Sequence, residues 1–155
     1  MLGTLIFVVL VGAAAFAAHV RLSPMDAQKW HNPKLPVMGP GEYPGKDRFV
    51  GQYVLDGSGE AVLQQVHDTA LATPRTRVLA GSPAEGKITY VTRTKVMGFP
   101  DVTTVTLTQI PATGKSTLQI FARLRYGKAD LGVNKARVRD WVKRVGLTAE
   151  AAQPD

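Results

Sequence analysis

Leu2 to Ala18 pass without one charged side chain, and Leu5 to Val11 form an unbroken apolar block ahead of Gly12 and an alanine-rich stretch. The segment shows no polar face, which disfavours a buried core helix. With Val20 and Leu22 it just reaches the roughly 20 apolar residues of a membrane span. Ala15-Phe16-Ala17 supplies small residues at the spacing a signal peptidase accepts, although the basic stretch that opens such peptides is missing. Residues 1–22 are therefore expected to be a membrane anchor or a signal segment.

The next pattern is one of breakers. Pro24, Pro33, Pro36, Pro40 and Pro44, with Gly39, Gly41 and Gly45 among them, predict a connector over residues 23–47. Trp30 and His31 lie within it, either as an interfacial anchor at headgroup depth or as a tryptophan packed on the domain.

Regular alternation begins at Arg48. Arg48 to Leu55 reads as a strand ended by the Asp56-Gly57 turn signal. Glu60 to Ala72 reads as a helix with Leu63, Val66, Ala70 and Leu71 near helical spacing, Asp56 or Ser58 as its cap and Pro74 as its stop. Four strand-like runs follow, Arg75 to Ala80, Lys87 to Val96, Val102 to Ile110 and Ser116 to Arg125, joined by turns short enough for antiparallel neighbours. In the last of them Leu118, Ile120, Ala122 and Leu124 alternate with Thr117, Gln119, Phe121 and Arg123, the pattern of a half-buried strand. Asn134 to Val145 sets Val138, Trp141, Val142 and Val145 on one stripe of an amphipathic helix that Gly146 stops. The expected fold class is α+β: an antiparallel meander sheet packed on about two helices, preceded by one N-terminal transmembrane or signal helix. Residues 48–146 make its single domain and residues 147–155 a loose tail.

Composition narrows the chemistry. A chain of 155 residues, 20% charged and 45% hydrophobic, holds one ordinary core and is not disordered over most of its length. It has no cysteine, which excludes disulfides, thiolate zinc sites, iron–sulfur clusters and cysteine nucleophiles. A net charge of +7 suggests an anionic partner, the competing reading being a basic surface that serves only solubility. Nucleic acid is not expected as that partner, because aromatic residues are not interleaved with the basic ones as stacking surfaces require. His67 stands one position off its helix's apolar row with no second histidine or carboxylate cluster beside it, so no metal site is expected, and no cofactor. No serine sits in a nucleophile elbow and no glycine-rich loop matches a nucleotide-binding pattern, so no catalytic residue is assigned.

Two stretches concentrate the remaining signal: Arg93-Thr94-Lys95-Val96-Met97-Gly98-Phe99-Pro100-Asp101, and Arg123-Leu124-Arg125-Tyr126-Gly127-Lys128-Ala129-Asp130-Leu131-Gly132-Val133-Asn134 with Arg137 and Trp141 beyond it. Arg123 and Arg125, two apart on a strand, share a face and lead into a glycine-containing loop that opens a helix, a layout suited to an anion. The candidate binding residues are Arg93, Asp101, Arg123, Arg125, Lys128, Asp130, Asn134 and Arg137. The competing reading pairs Asp101 and Asp130 with Arg93, Arg123 or Arg125 in an internal network, with Asp130 or Asn134 as a helix cap.

Together the two stretches resemble the paired signatures of the domain of unknown function 1499 family of bacteria and plant plastids, over roughly Arg48 to Val145. The resemblance implies no established activity, but an export or anchoring segment is common in that family. Serines frequent there are replaced here by Ala122, Leu124 and Ala129, which argues against catalysis by a hydroxyl.

Orientation has two indicators. Arg21, Lys29 and Lys34 follow the apolar segment and no basic side chain precedes it, which favours a cytoplasmic domain; the alanine-rich, signal-like end favours export. The charge bias is only a few residues, so the periplasmic side is expected. The sequence thus predicts a module anchored through residues 2–22, with a basic strand–loop–helix face for an anionic ligand, a lipid surface or a membrane protein partner. The alternative is an envelope enzyme with an arginine-rich pocket acting on an acidic substrate.

Overall fold

The structure, a computed structural model, describes residues 1–35 and 38–147; Pro36 of the expected connector and the expected tail beyond Leu147 lie outside the described residues. The apolar block forms helix α1 (Leu2–Leu22), followed by a short helix α2 (Ala27–His31) and strands β1 (Gly41–Pro44) and β2 (Arg48–Asp56). Helix α3 (Glu60–Ala72) leads to β3 (Thr76–Ser82), β4 (Lys87–Arg93), β5 (Pro100–Ile110) and β6 (Lys115–Leu124), and α4 (Val133–Arg144) closes the order. All strands pair antiparallel in one open sheet ordered β1-β2-β6-β5-β4-β3, so β3 to β6 form the meander and β2 returns to the free side of β6.

Side chains alternate between the two faces of a sheet, so the register sorts them. Tyr53 opposes Leu118, and Val105 opposes Ile120. These residues, with Phe49, Leu55, Ile88, Tyr90 and Ala122, form the inner face of the core, on which α3 sets Leu63, Val66 and Ala70 and α4 sets Val138, Trp141 and Val142. Trp141 is fully buried, its indole N–H donates to Thr73 Oγ1 at 2.9 Å, and its ring meets Tyr90 edge-on. Each such buried apolar side chain contributes about 1.5–3 kcal/mol, which holds both helices to this face. Leu147 also packs against this core. His67 sits at the boundary, its Nδ1 3.0 Å from the Tyr90 hydroxyl.

The opposite face is basic along one edge. Arg48 opposes Arg123, Arg123 opposes Val102, Val102 opposes Val91, and Val91 opposes Arg77, one continuous row across β2, β6, β5, β4 and β3. The last turn of α1 and all of α2 lie over this face.

Several local expectations are corrected. The breaker-rich stretch 23–47 carries α2 and β1. Between Pro24 and Pro33 the Asp26 carboxylate accepts from Lys29 N at 3.1 Å and caps a short helix, and Pro44 ends the edge strand β1, where its missing N–H costs least. Neither Asp56 nor Ser58 caps α3; Gly59, at φ 69°, takes the cap position without a side-chain bond. Strand β4 stops at Arg93 rather than Val96, because Thr94 N turns to Phe99 O and closes a loop.

Gly81, at φ 79°, is required by close approach: a Cβ there would stand 2.0 Å from the Lys87 carbonyl oxygen and 2.7 Å from His31 Cε1. Gly81→Ala is expected to cost about 3 kcal/mol, from left-handed strain and overpacking together. Thermal unfolding of the full chain in neutral detergent measures this loss.

Candidate functional site

The sheet divides the candidate residues into two groups on opposite faces. On the helical side, Asp101 opposes Leu124 in the β5–β6 register and meets Arg137 of α4, whose Nη2 lies 2.7 Å from its Oδ2. Asp101 is buried and Arg137 nearly so, with side-chain exposures of 3% and 10%. Burial pushes the Asp101 carboxyl above its ordinary value, while the bond and charge of Arg137 pull the other way. Arg137 Nη1 also donates to Asn134 Oδ1 at 2.9 Å.

Asp130 closes the start of α4. Its two carboxylate oxygens accept from Gly132 N at 2.9 Å and Asn134 N at 3.0 Å. The expected anion seat at this helix start is thus occupied by the chain's own carboxylate, placed by a two-residue reach from the loop. Internal pairing is found, but with different partners: Asp101 takes Arg137 in place of Arg93, Arg123 or Arg125.

Those three arginines lie on the other face, where they fasten the N-terminal segment. Arg93 Nη1 donates to Val20 O at 3.3 Å and Gly98 O at 2.8 Å. Arg125 Nη1 reaches Ser23 O at 3.3 Å, and Arg123 Nη2 donates to Trp30 O. Arg123 also stacks between Phe121 and Trp30, its guanidinium carbon 4.5 and 5.1 Å from the two ring centroids, which places Trp30 on the domain. Val20 and its neighbours carry the unsatisfied carbonyls of a helix end, and guanidinium donors suit that negative pole. Burial brings Arg123 down to about 10, still charged at neutral pH. His31, whose Nδ1 lies 2.9 Å from Thr89 Oγ1, is lowered by burial and then by Lys87.

Beside these fastenings lies a surface pocket of about 450 Å³, lined by Arg21, Arg75, Thr76, Arg77, Val91, Arg93, Thr94, Lys95 and Gly98. Its cations come from four places. Arg21 is in the last turn of α1, Arg75 and Arg77 flank the start of β3, Arg93 ends β4, and Lys95 follows in the loop. Arg21 Nη2 donates to Val96 O at 2.7 Å and Arg75 Nε to Arg93 O at 3.0 Å, which holds the walls in place. Among the described residues the ion pairs are Lys115–Asp56, Arg137–Asp101, Arg139–Glu42 and Arg144–Asp140, so no cation of the pocket is neutralised by a carboxylate. Arg93 is depressed by burial first and then by the positive charges of Arg77, Arg125 and Arg21. Arg75 adopts φ 60°, a left-handed conformation rare outside glycine, on the pocket wall.

Of the candidate residues only Arg93 lines this pocket; Arg21, Arg75, Arg77 and Lys95 were not among them. Their signal was weak but present. Arg75 and Arg77, and Arg93 and Lys95, are each two apart within the runs read as strands, the spacing that puts strand side chains on one face. The expected pairing of β3 with β4 brings these two pairs near each other; what the sequence does not show is that Arg21, at the end of α1, joins them. Lys128 stands in the β6–α4 loop and joins no ion pair among the described residues.

A family model described as "Protein of unknown function (DUF1499)" matches residues 24–145, a span that adds the breaker-rich stretch to the region read from Arg48 onward. A crystal structure of protein CV1439 from Chromobacterium violaceum is similar at 16% sequence identity and a TM-score of 0.44, over 70% of this chain and 99% of that one. No curated protein matches the chain.

Proposed function

The chain belongs to the DUF1499 family of proteins of unknown function, and we propose that it works as a membrane-anchored binding module whose basic pocket takes the phosphate of an anionic lipid headgroup. The observation that carries this reading is the composition and place of the pocket. Among the described residues five cations and no carboxylate line it, and one of them, Arg21, lies in the last turn of an apolar helix of 21 residues. Such a helix is long and apolar enough to cross a membrane, and a signal sequence passes the same test. As an anchor it would fix the pocket at headgroup depth, where each basic side chain gains about 1 kcal/mol from an anionic surface. Guanidinium groups suit this task because their planar fork matches two phosphate oxygens. The signal-like alanine-rich end favours a periplasmic placement of the domain, within the cell envelope.

The alternative of an envelope enzyme is weakened by the state of its carboxylates. Asp101 is buried against Arg137 and Asp130 caps α4, so neither is free to exchange a proton with a substrate.

The test is a titration of the full chain in neutral detergent with short-chain phosphatidylglycerol, short-chain phosphatidylcholine and glycerol phosphate. Tighter binding of phosphatidylglycerol than of the other two supports the lipid reading. Equal binding of phosphatidylglycerol and glycerol phosphate makes the ligand a soluble phosphate, and indifference to all three removes the phosphate reading.

A further inference from the structure

Two loops flank the base of α1, and both carry apolar side chains that the fold does not use. The β4–β5 loop lies against the last turn of α1 through the Arg21–Val96 bond, yet the Val96 side chain is 76% exposed. The β6–α4 loop carries Leu131, which is 94% exposed and holds φ 52°, a conformation that favours glycine or asparagine. A leucine there contributes nothing to the core and bears a conformational cost, so packing within the domain does not explain it.

The loops also climb the helix. Phe99 meets Phe16 edge-on at 6.1 Å, Tyr126 lies 6.3 Å beyond Phe99, and Phe16 shares a groove with Phe99, Tyr126, Ala129 and Val133. At 1.5 Å rise per residue, Phe16 lies about 9 Å above the end of α1, and the part of the helix clear of the domain, Leu2 to Ala15, is about 21 Å long. A hydrocarbon core is about 30 Å thick. The helix alone therefore falls short once the domain is seated against Phe16, by about the depth of an interfacial layer.

We propose that the β4–β5 and β6–α4 loops complete the anchor by entering the membrane interface beside α1, with Val96 and Leu131 at the hydrocarbon edge and Lys95 and Lys128 among the lipid phosphates. The occupant of this surface is the bilayer. The exposed tips Val96 and Leu131 are as apolar as the exposed side chains of α1, and the lysines next to them match anionic headgroups; the one carboxylate of these loops, Asp130, is turned inward to cap α4. Phe99 and Tyr126 stand at the depth aromatic rings prefer. The inference rests on the anchor reading of α1 and extends it to the domain.

The absence of cysteine permits a direct test. Single variants Val8→Cys, Val96→Cys, Leu131→Cys and Ala112→Cys of the full chain are spin-labelled, reconstituted into vesicles of phosphatidylglycerol and phosphatidylcholine, and probed with oxygen and a water-soluble nickel chelate. Position 112 is the reference in water, since it lies in the β5–β6 turn at the far end of the sheet. The expected result is a label at 8 deep in hydrocarbon and labels at 96 and 131 with oxygen-to-chelate ratios several-fold above that at 112. A deep label at 8 with 96 and 131 as wet as 112 overturns the inference and leaves the anchor standing; a wet label at 8 overturns both.

Discussion

Arg137→Met is expected to destabilise the domain by about 3–5 kcal/mol, because it leaves the Asp101 carboxylate buried without its partner. The effect is large for three reasons. Asp101 is buried on the inner face of β5; burial already pushes its carboxyl up; and Asn134, whose buried Nδ2 has no partner among the described residues, also loses the guanidinium that bonds its oxygen. A loss of this size lowers Tm by roughly 15–25 °C in a domain of this length. The double variant Asp101→Leu with Arg137→Met should recover most of the loss, because removing both charges removes the desolvation cost as well.

The pH dependence follows from the sign of the Asp101 shift. A carboxyl raised in the folded state binds more protons there than when unfolded, so its contribution favours the fold at acid pH and declines as pH rises through the window above the ordinary carboxylate value. Without Arg137 that window widens upward. The deficit of Arg137→Met should therefore shrink as pH falls from 7 toward 5, as read by thermal unfolding at each pH; a deficit constant over that range contradicts the buried-charge account.

Arg77→Gln with Lys95→Gln should weaken binding of phosphatidylglycerol about thirtyfold, from about 1 kcal/mol for each charge removed at an anionic surface. These two side chains isolate the electrostatic effect. Arg21, Arg75 and Arg93 each donate to a backbone carbonyl that shapes the pocket, whereas Arg77 and Lys95 take no part in those contacts and form no ion pair among the described residues. The double variant should unfold at the temperature of the natural chain while its affinity falls. The loss should fade as salt rises toward 1 M, where the screening length contracts to about 3 Å. Unchanged affinity at low salt would remove the pocket from the account.

What the sequence disclosed and what it withheld follow from the range of the interactions involved. Glu60 to Ala72 and the strands from Arg48 onward are specified by local periodicity, and their bounds were legible to within a few residues because each pattern is completed within one element. The cap of α3 was missed because Gly59 acts through backbone conformation and leaves no side-chain signature. The helix at Ala27–His31 was hidden among prolines, since its stability comes from Asp26 and from docking on the sheet through Trp30 and His31. In the site, Asp130 near the helix start was legible as a cap, whereas the pairing of Asp101 with Arg137 depends on α4 packing over β2 and β6 so that Arg137 reaches β5, a contact across 36 positions. The pocket was hidden for the same reason. The β3–β4 pairing that brings Arg77 near Arg93 belongs to the expected meander, but Arg21 joins them only because the end of α1 folds back onto the sheet.

The most direct measurement of the central claim is the lipid that the protein carries. Full-length chain is reconstituted into nanodiscs of mixed phosphatidylglycerol and phosphatidylcholine, and the lipids that stay bound after gentle release are weighed by native mass spectrometry. The account predicts bound lipid enriched in phosphatidylglycerol over the bulk mixture, with that enrichment lost in Arg77→Gln with Lys95→Gln. Bound lipid of the same composition as the bulk, unchanged by the substitutions, would contradict it.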